Sequence, residues 1–209
     1  LDGAMDRDDV ARAIGRRDAL EWENLFADAR PRQCCVAVRT AEEWRGTSQG
    51  ALLAGRPCVD VIRIGDSPPE PLPSDPARPL AGVRALDLTR ILAGPIAGKF
   101  LSANGAEVLV INSPKLPNVD AYLLETGHGK RSTWLDLDEP EQAVALRRLV
   151  AGADVLVQSF RTGALARRGF SPEEMAALRP GLIYTSISCF GSDGEWGERP
   201  GWELLGQSA

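Results

Sequence analysis

The sequence predicts an α/β fold, an open and mostly parallel sheet of Rossmann-like type with flanking helices, preceded by part of a smaller α+β domain. Three observations carry this reading. From about residue 80 onward short apolar runs alternate with helical patterns, which implies βαβ units and a parallel sheet. A Pro-rich stretch, SPPEPLPSDPARP at 67–79, separates that region from what precedes it, and proline there can join neither a helix nor a ladder. The 209 residues are 44% hydrophobic and 25% charged, the balance of a globular chain. The expected organisation is therefore a small α+β segment at 1–66, a linker at 67–79 and an α/β domain at 80–209.

Residues 6–29 place Val10, Ile14, Leu20, Leu25 and Phe26 at helical spacings, with Asp6 or Asp9 as N-cap and Pro31 as the stop. QCCVAVRT reads as a strand, and TAEEW restarts a helix with Thr40 and Glu43 in the capping-box pattern. PCVDVIRIG, 57–65, alternates like a half-buried strand. Beyond the linker, 83–89 is a strand, 96–104 a short helix ended by Gly105, and 107–112 the next strand. An irregular segment at 113–132 leads to the strand TWLDL and a helix from about Pro140 to Val150, with Ala143, Leu146 and Val150 on one face. ADVLVQSF is another strand. Ser171, Pro172 and Glu174 start a further helix, closed by Pro180, and LIYTSISCF is a strand again.

The composition excludes several functions. Twenty-four Lys and Arg against 29 Asp and Glu give a net charge of −5, with no basic footprint for nucleic acid. No apolar run is long enough to span a bilayer, and the first residues do not read as a signal peptide, so a cytoplasmic location is expected. Cys34, Cys35, Cys58 and Cys189 form no CxxC pair and are joined by one histidine, His128, so no metal site and reduced thiols are expected. Both ends fall in helical patterns, as in an internal piece of a longer protein.

Ligands of open parallel sheets bind beyond the carboxyl ends of the strands. After the first strand comes Thr89-Arg90-Ile91-Leu92-Ala93-Gly94-Pro95, which is not a GxGxxG dinucleotide fingerprint and by itself reads equally well as a plain βα turn. Lys130, Arg131, Arg161, Arg167 and Arg168 are expected around the same sheet edge, where guanidinium forks suit phosphate oxygens. Solvated surface charge is the competing reading for each one alone.

Taken in register, PLAGVRALDLTRILAGP, LSANGAEVLVIN, GHGKRSTWLDLDEPE and the long run from ADVLVQSFRTG to ERPGWE resemble the N-terminal portion of family III CoA-transferases, the CaiB/BaiF group, over residues 78–209. Residues 4–73 more weakly resemble the small-domain region that precedes this core in extended members. The resemblance implies an enzyme that moves CoA between an acyl-CoA and a carboxylic acid, in which an aspartate attacks the donor and passes through mixed-anhydride and aspartyl-CoA stages. It implies CoA contacts at Ile91, Leu92 and Ala93, at Leu135, at Ser159, Phe160 and Ala164, and at Arg167. It also implies an interlocked homodimer for the parent and no metal. The nucleophilic aspartate of the family lies in a segment beyond residue 209, so the 209 residues alone are expected to be inactive. Asp87, Asp136 and Asp138 read as structural.

This chain departs from the family pattern at Ser159 and Thr162, where Asn and Pro are usual, and at Asn112 and Ser113, where a basic residue is often found. Glu203 in PGWE corresponds to an acidic residue near the active site, in a supporting role or as a plain helix-start acid. Racemases of the same superfamily carry a histidine just before that acid, whereas Trp202 stands here, which disfavours the racemase alternative. A noncatalytic CoA-binding or assembly fragment is the third reading.

Overall fold

The computed structural model describes residues 6–29, 34–72, 77–116 and 118–209. Along the chain run α1 (Arg7–Ile14), α2 (Ala19–Ala29), α3 (Ala41–Gly46), α4 (Ser48–Ala54), β1 (Arg84–Leu88), α5 (Ala93–Ala103), β2 (Glu107–Asn112) and α6 (Asp120–Thr126). They are followed by β3 (Arg131–Trp134), α7 (Pro140–Ala151), β4 (Val155–Gln158), a 3-10 turn (Ala166–Arg168), α8 (Pro172–Leu178), β5 (Ile183–Ser186) and α9 (Glu203–Ser208). The chain divides into two compact units, one of residues 59–188 and one of 1–58 with 189–209. This grouping by contact differs in its bounds from the segments 1–66, 67–79 and 80–209 read from the sequence.

In the larger unit the described strands form one sheet in the order β3-β2-β1-β4-β5, every pairing parallel. β1 and β4 are buried on both faces, which is why they read as continuous apolar runs and not as alternation. Side chains alternate across the sheet nonetheless. Leu86, Leu88, Ile111 and Leu156 point to one face and pack with Leu146, Val150, Phe170 and Met175. Ala85, Val108, Val155 and Val157 point to the other, against Leu101. That second face has small residues because α5 lies close on it, with Gly94, Pro95 and Gly98 buried in the contact.

Several elements stand as the sequence predicts them, and for local reasons. β2 spans 107–112 and α7 begins at Pro140. Ser171 caps α8, its side chain accepting from the Glu174 N–H while Glu174 reaches back, and Thr40 and Glu43 do the same for α3. Other expectations are corrected. The stretch 6–29 is two helices broken after Gly15, and Trp22 Nε1 donates to Ile14 O across the break at 2.7 Å. In QCCVAVRT the described residues, 34–40, form no strand, and neither does PCVDVIRIG, where no neighbouring strand completes a ladder and Val59 and Val61 are 77% and 90% exposed. The segment 113–132 is not irregular throughout, since it contains α6 and the first residues of β3. Pro31 lies outside the described residues.

The smaller unit is held by buried polar groups. Gln49 is fully buried and donates to Phe190 O and Asp193 O at 2.7 and 2.9 Å while accepting from the Trp196 N–H at 3.0 Å. Glu23 is grasped by Arg39 through two bonds of 2.8 Å and by the Ala37 N–H. Burial opposes the ionised Glu23, yet these bonds hold its carboxyl below the ordinary range. Trp44, Phe190 and Trp196 complete this core edge to face.

Candidate active site: the carboxyl end of the sheet at the β1 turn

The strand order makes β1 the place where the chain reverses its direction across the sheet: β2 and β3 are added on one side, β4 and β5 on the other. In open sheets of this kind ligands are received at the carboxyl ends of the strands that flank such a reversal, here the turns that leave β1 and β4. Here the two turns are tied together, with the Arg90 N–H donating to Ser159 Oγ at 3.3 Å. Two segments 69 residues apart in sequence thus form one rim.

The β1 turn is strained. Ile91 has φ of 72°, the sole positive value at a non-glycine residue among the described residues, and a β-branched side chain tolerates it only where the surroundings enforce it. α5 then starts at Ala93 with Leu92 as N-cap, whose apolar side chain supplies no cap bond, and with Pro95, which carries no N–H, in its first turn. Gly94 is required here because a Cβ would stand 2.2 Å from Thr89 Cβ. A cleft beside the β1 turn, on the side of β2 and α6 and not of β4, is lined by Arg90 and Ile91, by Asn112 at the end of β2, and by Val119, Tyr122 and Leu123 around α6.

The predicted residues distribute as follows. Ile91, Leu92, Ser159 and Phe160 are half-buried at the rim, and Ala93 is exposed beside them. The Phe160 N–H donates to Gln158 Oε1 at 2.8 Å and its ring packs on the larger core cluster. Ala164 follows in the same turn, its N–H bonded to Arg161 O. Arg167 is exposed and its guanidinium lies over Gly163, where a Cβ would come within 3.0 Å of Nη1. Leu135 lies two strands from β1, past the end of β3, where its N–H continues the ladder to Asn112 O at 2.9 Å. Glu203 is the exposed first residue of α9 in the smaller unit, with Gln207 bonded to it.

Two of the expected phosphate cations have other partners, and a third stands away from the carboxyl edge. Lys130 is not a surface charge; its side chain is 2% exposed and paired with Asp87. Arg168 binds Asp138 at 2.8 Å, and Arg131 stands at the start of β3, level with Leu109, below the carboxyl edge. Asp138 is held below its ordinary range first by the Arg168 bond and then by Lys115, which itself bridges Asp136 and Asp138 at 2.8 and 3.0 Å. Arg90 carries no distinguishing mark in the sequence. It is withdrawn from water enough for burial to press its pKa downward, and no acidic side chain is paired with it among the described residues. Nothing in a TR dipeptide distinguishes such an arginine; only the strand order does.

An open parallel sheet whose β1 and β4 turns meet beside the start of a helix has the architecture of α/β proteins of the doubly wound class, in which ligands are received at the carboxyl ends of the strands. The family model described as CoA-transferase family III matches residues 80–209, and the chain belongs to that family. It is similar to an acyl-CoA transferase of Gibberella moniliformis, 39% identical over 181 residues that make up 82% of this chain and 32% of that protein. It is 36% identical over 147 residues to a succinate–glutarate CoA-transferase of Agrobacterium fabrum, covering 62% of this chain and 37% of the relative. Among solved structures, a CaiB/BaiF family protein from Brucella suis superposes with a TM-score of 0.57 at 36% identity, covering 61% of this chain and 38% of that one. The chain thus spans about a third of the length of these relatives.

Proposed function

We propose that this chain carries the CoA-holding portion of an enzyme that moves CoA from an acyl-CoA to a carboxylic acid through an aspartyl-CoA thioester, with the nucleophilic aspartate outside residues 1–209. The observation that carries the reading is the tie between Arg90 N–H and Ser159 Oγ at the switch point of a family III chain. The chemistry explains why such a rim is needed. An aspartate attacks the thioester carbonyl and expels CoA thiolate; the thiolate then attacks the aspartyl carbonyl and releases the donor acid. The acceptor carboxylate then attacks the aspartyl thioester and expels CoA thiolate, and the thiolate attacks the acceptor carbonyl of the new anhydride, giving the product acyl-CoA and freeing the aspartate. CoA leaves and returns twice, so its nucleotide end has to stay anchored while its sulfur moves.

In this reading Ile91, Leu92 and Ala93 lie along the ligand, Ser159, Phe160 and Ala164 contact it from the β4 turn on the same rim, Leu135 is a further CoA contact, and Arg167 and Arg90 supply the cationic forks. Asp87 is no substitute nucleophile, because its carboxylate is 1% exposed and both of its oxygens are engaged. Glu203 takes a supporting role in orienting substrate. The parent is proposed to be a cytoplasmic homodimer, with 80–209 as the CoA domain, 67–79 as linker and 1–66 as a preceding small domain. Among the described residues no helix is long and apolar enough to cross a membrane.

Two measurements test the reading. With succinyl-CoA as donor and a panel of carboxylic acids as acceptors, the purified 209 residues are expected to show no CoA transfer; robust turnover refutes the external aspartate. In calorimetric titrations Arg167→Ala and Arg90→Ala are each expected to weaken CoA binding about tenfold, the loss of one charge-assisted bond. Unchanged affinity in both removes the proposed forks.

A further inference from the structure

The transfer chemistry makes no use of an ion pair that lies under the rim. Asp87 on β1 and Lys130, just ahead of β3, have side chains 1% and 2% exposed, with Nζ 2.8 Å from Oδ2. Each partner also grips the β1 turn. Asp87 Oδ1 accepts from the Thr89 N–H at 3.0 Å and from the Thr89 hydroxyl, at the start of the turn. Lys130 Nζ donates to Pro95 O at 2.7 Å, in the first turn of α5. Between those two anchors sits Ile91 with its φ of 72°.

Stability alone does not explain the pair, since apolar residues of similar volume fill such sites equally well or better. The surroundings are also shaped to admit it. A Cβ on Gly98 would stand 2.4 Å from Asp87 Oδ2 and 2.8 Å from Lys130 Nζ. A buried, fully bonded pair that fixes both ends of a strained turn is suited to holding that turn in one conformation.

We propose that Lys130 and Asp87 are positioning residues that hold the 89–95 turn in its ligand-receiving conformation before CoA arrives. This rests on the CoA reading above as far as the ligand is concerned, but its effect on the turn is measurable without ligand.

The test is made on the 209-residue chain with Lys130→Met, Asp87→Asn, the double variant, and Arg179→Ala as a control for stability. Arg179 bonds Asp154 and Ala153 O at the opposite end of the sheet, far from the rim. At a temperature where circular dichroism shows each variant folded, amide exchange at residues 89–93 in Lys130→Met is expected to rise about tenfold or more, with β2 and β4 unchanged. The CoA dissociation constant is expected to rise about tenfold to a hundredfold. In the double variant the loss is no larger than in either single one, because the two residues act as a unit. Arg179→Ala lowers the Tm and leaves both turn exchange and CoA affinity unchanged.

Unchanged turn exchange in Lys130→Met overturns the proposal, and so does an equal loss of CoA affinity in Arg179→Ala, which reduces the pair to a stability element. Should Lys130→Met not fold, the double variant, neutral and of similar volume, carries the same readouts with the same criteria. If the native chain binds no CoA while turn exchange still rises as expected, the positioning role stands and the CoA assignment falls.

Discussion

Gly98→Ala is expected to lower the stability of the 59–188 unit by about 3 kcal/mol or more, although it adds one methyl group to a helix. In an open helical position the same change stabilises by up to about 1 kcal/mol. Here the new Cβ would meet Asp87 Oδ2 at 2.4 Å, Lys130 Nζ at 2.8 Å and Asp87 Cγ at 3.1 Å. None of these atoms is the loose end of a flexible chain. Asp87 is fixed on a central strand between β2 and β4, and Lys130 is fixed by Pro95 O. Either α5 lifts from the sheet, which opens the contact made by Gly94 and Pro95, or the ion pair parts and leaves two buried charges without partners. Urea unfolding reads the loss. Gly152→Ala, in the same unit with φ of −109° and only ordinary contacts at 3.7 and 3.8 Å, is the matched control and is expected to change stability by less than about 1 kcal/mol. Equal midpoints for the two variants would contradict the close packing of α5 on Asp87.

Phe170→Ala is expected to cost about 3–5 kcal/mol and to weaken CoA binding as well. Phe170 is 1% exposed within the cluster of Leu146, Leu156 and Met175. Arg147 lies over its ring at 4.9 Å and donates to Gly169 O at 2.6 Å, while Tyr184 Oη donates to Phe170 O at 3.0 Å. The 3-10 turn Ala166–Arg168 hangs between this residue and Leu165, itself 4% exposed, with the Phe170 N–H bonded to Leu165 O. Removing the ring therefore loosens one of the two posts that hold Arg167 over Gly163. Thermal unfolding and CoA titration on the same samples check both effects. A large loss of stability with native CoA affinity, measured where the variant is folded, would mean that Arg167 takes no part in binding.

What was legible in the sequence was local or repeated. β2, α7 and α8 announce themselves through a continuous apolar run, a Pro at the first turn and a Ser-to-Glu capping box, each contained within a dozen residues. Runs such as 34–40 and 57–65 carry the same strand composition, but a strand exists only where another strand lies beside it. α6 leaves little trace in the sequence because it is seven residues long, has no side-chain cap at Val119 and follows a Pro-containing stretch. At the site, the β1 turn and the Ser159–Gly163 turn were found through their order in the chain, and the structure adds the bond that joins them. Lys130 reads as a solvated cation in GHGKRS because its partner is 43 residues away, and pairing over such a separation leaves no trace in local pattern. The value of Arg90 depends in the same way on a strand order that no window of sequence contains.

The most direct test of the account is a calorimetric titration of the folded 209-residue chain with CoA, in parallel with Arg167→Ala. The account predicts saturable binding by the native chain that weakens about tenfold in the variant. A native chain that is folded by circular dichroism yet releases no heat and shows no binding at millimolar CoA would contradict it.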